Sequence, residues 1–498
     1  MRRNKFLFMG WLLDSNRSAC RALKDPRGLA PRVNKFGGYG GLAVELLPLP
    51  HKAAGAVSHL RQSAARILFC LLSLLAAAVL AQAETPAKVE LQKVEPAGWR
   101  LRVNGADFVI HGAGGAVAPG LLEKLKEAGG NCVRTWSVDT LEAKVTGGAR
   151  FLDRAQQLGL MVVPGLWVEH ERHGFNYADA AKVQRQREKI LTAVRQYKNH
   201  PAVLMWGLGN EAEGPASPTG SVPVFKEIEE LAKLIKQEDP NHPVMSVIAF
   251  NAAKVENVKR HCPSLDILGV NSYGGAAGAG EALKRAGWAK PFAVTEFGVR
   301  GPWEVPTTAW GAPLEPTSHE KARTFYATQR LVTELNDGKE QCLGTFAFLW
   351  GWKQERTATW FGMFLPTLEK LSPVDAMTRA WTGQWPAQRC PEIRALNSAA
   401  AGKEVKPGQT LNATLEMDVS AGAALTYDWL VVAESSDIGV GGDAEAAPSA
   451  FPGIVKQNNS TNCVFISPTA AGNYRLFVTV HDGKGGAATA NFPFRVAP

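Results

Sequence analysis

The 498-residue sequence predicts an α/β fold, in which a (β/α)8 TIM barrel is followed by a C-terminal β-sandwich. The first observation is that eight short apolar runs alternate with helical patterns between residues 107 and 390. Such alternation is typical of parallel strands joined by right-handed crossovers, and eight strands close a barrel. The second observation is that the helical patterns stop after residue 391, where short alternating strands and glycine turns follow.

The excess positive charge of the chain is confined to its N-terminal segment. The formal net charge is +9, from 55 Lys and Arg residues against 46 Asp and Glu residues. Residues 1–83 contain 12 of these basic and 3 of these acidic residues, so the rest of the chain is neutral. Because a neutral body lacks the basic surface that phosphate binding requires, we expect no nucleic-acid partner.

A signal peptide is predicted at residues 57–83. Arg61 and Arg66 precede an apolar run at 67–80, and an Ala-Gln-Ala tripeptide ends the segment. This is the order of a basic n-region, an apolar h-region and a cleavage site. The run is short for a transmembrane helix, and an internal hydrophobic helix is the competing interpretation.

Cleavage after this segment would release a protein that begins near Glu84. We expect that protein to be periplasmic or secreted and to have no membrane anchor. Residues 1–56 resemble neither a domain nor a targeting segment, so we expect an extension that precedes the true start or is unstructured. Five cysteines remain after cleavage, and their odd number and wide spacing indicate neither a disulfide framework nor a zinc site. One disulfide is possible in an oxidising compartment.

The predicted elements begin with a short β-hairpin at residues 86–106, where apolar and polar residues alternate around two turn signals. The eight barrel strands are expected within 108–112, 131–136, 160–168, 202–210, 243–248, 265–273, 291–298 and 344–352. The fifth and eighth helices have the weakest patterns. A doubly wound open sheet is the alternative architecture. It would require a phosphate loop, but the glycine-rich "HGAGGAVAPG" lacks the lysine of such a loop.

Polar and aromatic residues cluster at the predicted C-terminal ends of these strands, where a barrel carries its working residues. In chain order they are Arg134, Trp136, Trp167, His170, Asn210, Glu211, Asn271, Tyr273, Glu296 and Trp350. Glu211 and Glu296 end the fourth and seventh strands, which lie across the barrel from each other. Cleavage of a glycosidic bond needs one carboxylic acid and one carboxylate, about 5 Å apart in retaining enzymes. Tryptophan faces stack well on sugar rings.

Four motifs, in order and at the right strands, give the region from about Trp99 to Trp385 a family resemblance. "WGLGNE", "GVNSYGG", "TEFG" and "FLWGW" resemble the segments at strands four, six, seven and eight of the clan of retaining glycoside hydrolases that includes families 2 and 5. "GWRLRVNGADFVIHGAGG" resembles the segment that leads into the family 2 barrel. The catalytic TIM barrel of family 2 is therefore the closer match, and family 5 is the runner-up.

The resemblance implies a role for each of several residues. Glu211 corresponds to the general acid/base and Glu296 to the nucleophile. Asn210 corresponds to the residue that binds the sugar 2-hydroxyl. By the same resemblance, Tyr273 orients the nucleophile and Arg134 supports its charge. Trp350 corresponds to the residue that stacks on a sugar.

The sequence also departs from family 2, because the N-terminal sugar-binding and sandwich domains of that family are missing and a β-rich module follows the barrel instead. That module, residues 391–498, contains "YDW" and "GNYRLFVTVHDGKGG", which resemble immunoglobulin-like or PKD-type modules. The resemblance selects no particular sugar. Many tryptophans and an exported sandwich favour an oligo- or polysaccharide substrate, such as a β-glucan.

The predicted function is that of an exported retaining glycoside hydrolase without a cofactor. A transglycosylase with the same residues is the alternative, and a non-catalytic carbohydrate-binding protein is a further one. His170 and His173 suggest a metal site, but they lack the helical spacing of zinc proteases, so we expect no metal. Each rim residue also has a structural interpretation, as an ion-pair partner or as core packing. The sequence does not predict the oligomeric state.

Overall fold

The structure is a computed structural model that describes residues 85–95, 98–336, 341–418, 424–457 and 460–498. The predicted extension and signal peptide lie outside these residues. Within them, no helix is both long enough and apolar enough to cross a bilayer.

The chain first forms a small antiparallel sheet that closes one end of the barrel. Its strands are β1 (Val89–Val94), β2 (Gly98–Val103) and β3 (Ala106–Asp107). Val89 and Leu101 of this sheet are buried together with residues at the beginnings of the barrel strands, such as Ile110 and Ile267. Since this end is packed with apolar side chains, the open mouth of the barrel lies at the C-terminal ends of its strands.

The predicted barrel is confirmed. Its strands are β4 (Ile110–Gly115), β5 (Cys132–Arg134), β6 (Met161–Val163), β7 (Gly165–Leu166), β8 (Trp206–Asn210), β9 (Val244–Ala249), β10 (Ile267–Asn271), β11 (Phe292–Phe297) and β12 (Cys342–Trp350). Every neighbouring pair is parallel, in the order β6-β5-β4-β12-β11-β10-β9-β8-β7.

The third strand of the barrel is interrupted, which is why the ring counts nine strands rather than eight among the described residues. Pro164 separates β6 from β7 and has no backbone N–H to donate to a ladder. Its carbonyl oxygen still accepts a hydrogen bond from the Gly207 N–H at 2.9 Å. Val162 in β6 also pairs with Val203. The two half-strands together therefore close the ring between β5 and β8.

Eight described α-helices follow the strands. They are α1 (Leu121–Glu127), α2 (Phe151–Gln157), α3 (Ala180–Tyr197), α4 (Val222–Glu238), α5 (Ala252–His261), α6 (Ala279–Arg285), α7 (Ser318–Asn336) and α8 (Ser372–Thr382). Both weakly predicted helices are present. Asn251 caps α5 by accepting a hydrogen bond from the Ala253 N–H, and Gly383 ends α8 with φ 76°.

Two four-stranded sheets make up the chain after the barrel. One contains β13 (Glu392–Ser398), β15 (Thr410–Asp418), β17 (Val455–Gln457) and β18 (Asn462–Ile466). The other contains β14 (Glu404–Val405), β16 (Thr426–Ala433), β19 (Gly472–His481) and β20 (Ala487–Val496). Leu415 and Phe465 of the first sheet share a buried core with Val431 and Leu476 of the second. The immunoglobulin-like nature of this region stays a prediction.

The two sheets are joined to the barrel by a buried polar network around Glu315. This carboxylate accepts hydrogen bonds from Lys321 and Thr359 on one oxygen, at 2.5 and 2.8 Å. The other oxygen accepts from Thr357 and from Asn491 of β20, each at 2.7 Å. The network holds the C-terminal sheets in place against the barrel, because a shift between them would break a hydrogen bond and leave a buried charge less well satisfied.

Candidate active site

Glu211 lies just after β8, where the backbone takes an unusual turn at the mouth of the barrel. Its φ is 50°, a left-handed conformation that is uncommon for a residue other than glycine, and Gly209 before it has φ 72°. The Glu211 N–H donates to the Val247 carbonyl at 2.9 Å, so the ladder with β9 continues through the turn. This pairing holds the left-handed turn in place, and such uncommon conformations are often found at functional sites.

Glu296 lies in β11 with both carboxylate oxygens hydrogen-bonded. Its Oε1 accepts from Arg134 Nη1 and from Trp136 Nε1, each at 3.1 Å. Its Oε2 accepts from the Tyr273 hydroxyl at 2.8 Å. Three donors, one of them a buried guanidinium, stabilise the charged form of this carboxyl group.

A chain of hydrogen bonds joins the two glutamates. Arg134 donates from Nη2 to Asn210 Oδ1 at 2.6 Å, in addition to its bond to Glu296. Asn271 Nδ2 donates to the same Asn210 oxygen at 3.2 Å and to Glu211 Oε1 at 2.8 Å. The oxygen of Asn210 is thus occupied twice, and no hydrogen bond joins its amide NH2 group to another described residue.

The environment of Glu211 favours the protonated acid. Burial raises its pKa to about 8, and the negative charges of Glu296 and Glu213 contribute in the same direction. The hydrogen bond from Asn271 and the charge of Lys254 oppose the rise but are smaller effects. At neutral pH Glu211 therefore holds a proton that it can donate, whereas Glu296 is surrounded by donors that suit a carboxylate.

Aromatic rings line the side of the cleft next to Glu296. Tyr273 contacts Phe348 and Phe361, with ring centroids 5.8 and 5.1 Å apart. Trp303 packs edge-on against Tyr273 at 6.0 Å and remains 66% exposed. Burial and the nearby Glu296 charge hold the pKa of Tyr273 well above its usual value, so its hydroxyl keeps the proton that it donates. Trp303 therefore offers an open aromatic face beside the nucleophile candidate.

Trp167 and His170 lie together after β7, the strand that pairs with β8 ahead of Glu211. Their rings are stacked 4.8 Å apart, and His170 also stacks on His173 at 5.2 Å. Burial lowers the pKa of His170 to about 4, with the Arg172 guanidinium as the next contribution. The imidazole is therefore neutral near pH 7. Among the described residues, no cluster of three or more His, Cys, Asp or Glu side chains could hold a metal ion.

The structure contradicts the predicted role of Trp350. Its ring is fully buried, its Nε1 donates to the Leu121 carbonyl at 3.0 Å, and it packs against Phe364 and Trp381. A side chain with no exposed surface cannot stack on a sugar. The last residues of β12 thus serve the core, and Trp303, in the loop after β11, has the exposed face instead.

Two further charged groups lie at the site, outside the ten predicted residues. Glu213, two residues after Glu211, forms a buried ion pair with Lys254 at 2.8 Å. Glu355, in the loop after β12, pairs with Lys353 at 2.7 Å. Burial raises the pKa of Glu355, and repulsion from Glu296 adds to the rise. The motif "WGWKQE" places Glu355 soon after the end of a predicted strand, and this position could have identified it as a rim residue.

The geometry therefore brings nine of the ten predicted rim residues to one mouth and gives two carboxyl groups different environments. Against known proteins, residues 151–299 match the family model described as glycosyl hydrolases family 2, TIM barrel domain. This region is similar to the family 2 barrel domain. Its matched segment contains both Glu211 and Glu296.

Individual relatives of the family 2 barrel cover less of the chain or are remote. A β-glucuronidase from Bacteroides fragilis is 38% identical over 60 residues, which is 12% of this chain and 8% of the relative. The endo-β-1,4-mannanase of Thermotoga petrophila has a TM-score of 0.37 at 15% identity, covering 79% of this chain and 99% of that one. A Bacteroides uniformis β-glucuronidase has a TM-score of 0.44 at 14% identity, covering 82% and 48%. This chain thus spans about half of that glucuronidase and 8% of the curated relative.

Proposed function

We propose that the protein is a retaining β-glycosidase that hydrolyses an oligo- or polysaccharide. The observation that carries the proposal is the hydrogen-bonded chain between two unlike carboxyl groups at the mouth of a family 2 barrel. Asn271 donates to Glu211, whose burial favours the protonated acid, and Arg134 is one of three donors to Glu296. Two carboxyl groups in contrasting environments are the requirement of a two-carboxyl glycosidase mechanism.

In the first step of the proposed reaction, Glu211 donates its proton to the glycosidic oxygen as the bond to the anomeric carbon breaks. Glu296 attacks that carbon from the other face and forms a glycosyl ester. The amide NH2 group of Asn210 is the donor that faces the sugar hydroxyl next to the anomeric carbon. The hydrogen bond from Tyr273 holds the attacking carboxylate in one orientation.

In the second step, the electrostatic coupling between the two glutamates changes the role of Glu211. Glycosylation removes the negative charge of Glu296, which is one of the causes of the raised pKa of Glu211. The pKa of Glu211 then falls, so the group that has given up its proton remains ionised and accepts one from water. Water attacks the anomeric carbon, releases the sugar and regenerates Glu296.

The proposed substrate carries sugar rings on both sides of the scissile bond. The exposed face of Trp303 and the part-buried rings of Trp136 and Trp167 line the mouth. Aromatic faces of this kind pack against the C–H faces of sugars. The similar proteins named glucuronidase and mannanase suggest glucuronides and mannosides as the first substrates to test. We also propose that the protein is exported through the segment at residues 57–83.

Covalent labelling tests the mechanism directly. The full chain is incubated with activated 2-deoxy-2-fluoro β-glycosides of glucuronic acid, galactose, mannose and glucose, and adducts are located by intact mass and peptide mapping. We expect one sugar on Glu296. Glu296→Ala should lose the adduct, and Glu304→Gln, a change to an exposed rim carboxylate, should keep it. Hydrolysis of any glycan by Glu296→Ala at the wild-type rate would refute the assigned nucleophile.

A further inference from the structure

The loop between β16 and β17 carries the C-terminal region onto the mouth of the barrel. We call Gly439–Glu445 the rim segment. Asp443 accepts hydrogen bonds from Arg172 at 2.9 and 3.3 Å and from His173 at 3.1 Å. These partners lie in the loop after β7 that also carries His170. The rim segment is thus fixed beside one of the predicted substrate-binding side chains.

The rim segment is also fixed to the loop after β12. Lys353 Nζ donates to the Gly442 carbonyl and to Glu355 Oε2, both at 2.7 Å. The Arg356 N–H donates to Glu445 Oε2 at 2.6 Å. Through Lys353, the segment therefore shares a cation with Glu355, the carboxyl group whose pKa is raised by burial and further by the charge of Glu296.

A third contact is made with the loop after β8, which begins at Glu211. A Cβ atom added to Gly441 would lie 2.7 Å from Pro215 Cγ, so the Gly441 backbone packs directly against the Pro215 ring and a side chain here would force one of the two to move. Gly441 and Gly442 have φ 60° and 79°, which favour glycine. The close approach depends on this Gly-Gly turn.

The three anchoring loops lie on opposite sides of the mouth. Strands β8 and β12 are four places apart in either direction around the ring, with the two halves of the third strand counted once. The rim segment is compact, because the Gly439 N–H donates to Glu445 Oε1 at 3.0 Å and the Asp443 N–H donates to the Val440 carbonyl at 3.3 Å. Loops from both sides of the mouth therefore converge on one small segment, in which Val440 is 48% exposed and offers apolar surface.

We propose that the rim segment forms a wall of the substrate cleft and selects saccharides by their length. This inference rests on the proposed glycosidase function and adds to it that the C-terminal region contributes to substrate choice. A wall fixed on both sides of the mouth limits the space beside the scissile bond. The wall would contact sugar rings beyond the ring that Glu296 attacks. Loss of the wall should therefore change the binding of long substrates and leave the binding of short ones unchanged.

The test compares short and long substrates in variants that release the segment. Asp443→Ala/Glu445→Ala removes the carboxylates that bind the loops after β7 and β12, and Glu445→Ala is the milder variant if the double one unfolds. Glu404→Ala, which breaks an exposed ion pair with Arg495 elsewhere in the C-terminal region, is the matched control. Rates are measured on an aryl β-glycoside of the sugar found by labelling and on its β-linked oligomers of two to six units.

We expect KM for the longest oligomers to change at least fivefold in the released variants, while kcat/KM for the aryl glycoside stays within twofold and melting temperatures match the control. An unchanged length profile in a folded variant would overturn the inference and leave the proposed function intact. If wild type hydrolyses no glycan, calorimetric binding of the same oligomers decides. An oligomer affinity that changes in the released variants would support the wall and refute the glycosidase function. If the oligomers do not bind at all, both proposals are overturned.

Discussion

Glu213 and Lys254 form an ion pair that is buried from solvent, with 2.8 Å between Glu213 Oε1 and Lys254 Nζ. The ammonium group also donates to the Gly214 carbonyl at 2.9 Å, and Glu213 Oε1 accepts from the Ala249 N–H at 3.1 Å. The pair thus fixes the loop that begins at Glu211 to helix α5 and the end of β9. Its position two residues from the candidate acid makes it a structural support for the site.

Replacing Lys254 by methionine should destabilise the protein strongly. The change leaves a buried carboxylate without its counter-ion, which costs about 3–5 kcal/mol in comparable cases. It also removes a positive charge that lowers the pKa of Glu211. We expect a lower midpoint in urea unfolding and an upward shift of the alkaline limb of the activity profile.

The double variant Glu213→Leu/Lys254→Met separates the ion pair from the volume that it fills. Because two apolar side chains need no partner, the double variant should recover most of the stability that the single variant loses. Lys259→Met, which breaks an exposed pair with Glu256, serves as the control and should change stability by less than about 1 kcal/mol. A single variant as stable as wild type would contradict the structural role.

A second prediction concerns stability as a function of pH. Glu211 has a pKa of about 8 in the folded protein against 4.5 for an ordinary glutamate. The stability associated with its neutral form is fully present below pH 4.5 and is lost as pH rises through 8. Glu211→Gln is neutral at every pH and lacks this loss.

Melting curves of both proteins from pH 5 to pH 9 measure the difference. We expect the two melting temperatures to be close at pH 5 and Glu211→Gln to be more stable by several degrees at pH 9. Glu230→Gln is the control, because its exposed carboxylate has a pKa lowered by Lys233 and should give no such gain at high pH. A constant difference across this range would mean that Glu211 is ionised in the folded protein at all of these pH values.

The barrel and most of its mouth were predictable from the sequence because two simple features mark them. Apolar runs mark strands buried on both faces, and the C-terminal ends of parallel strands meet at one rim. Asn210, Asn271 and Glu296 each end or nearly end such a run, so their proximity followed from strand order alone. The weak pattern of α5 left its Asn251 cap unrecognised, although the helix forms.

Features that depend on loops or on distant parts of the chain were not predictable in the same way. Lys254 is 41 residues from Glu213, and Asp443 is 271 residues from Arg172. No periodicity links such pairs. Trp350 was misplaced because the end of a strand does not by itself show whether a ring points into the cleft or into the core. Trp303 lies in an irregular loop, where spacing gives no direction to a side chain.

A third prediction concerns the hydroxyl of Tyr273. Tyr273→Phe removes the 2.8 Å hydrogen bond to Glu296 Oε2 while leaving the ring in its aromatic cluster. A hydrogen bond to a charged group contributes about 1.5–3 kcal/mol, so we expect kcat to fall about 10- to 150-fold. KM should change little, since the ring still lines the cleft. Tyr326→Phe, on helix α7, is the control, and an equal loss of activity there would indicate a general effect on the fold.

A fourth prediction assigns sugar stacking to Trp303. An aromatic contact contributes about 0.5–1.5 kcal/mol, so Trp303→Ala should raise KM about 2- to 12-fold with kcat nearly unchanged. Trp303→Phe should restore most of the affinity, because a smaller ring still offers a flat face. Trp385→Ala removes another exposed tryptophan, after helix α8, and should leave KM unchanged. Equal effects from the two alanine variants would argue against a stacking role.

The last prediction uses the leaving group to identify the acid. Glu211→Ala lacks the proton donor, so kcat/KM should fall about 10²–10⁴-fold for unactivated glycosides, which need protonation. Dinitrophenolate leaves a sugar without being protonated, so the rate of the glycosylation step should fall far less with dinitrophenyl glycosides. The alkaline limb that we expect near pH 8 for wild type with unactivated substrates should be absent from this variant, because it would report the titration of Glu211. Azide should restore turnover and yield a β-glycosyl azide, since a small anion can replace the missing base and attack the glycosyl ester from the same face as water. Glu171→Gln, at an exposed rim carboxylate, should behave like wild type throughout. An α-glycosyl azide would instead indicate direct attack without an intermediate on Glu296.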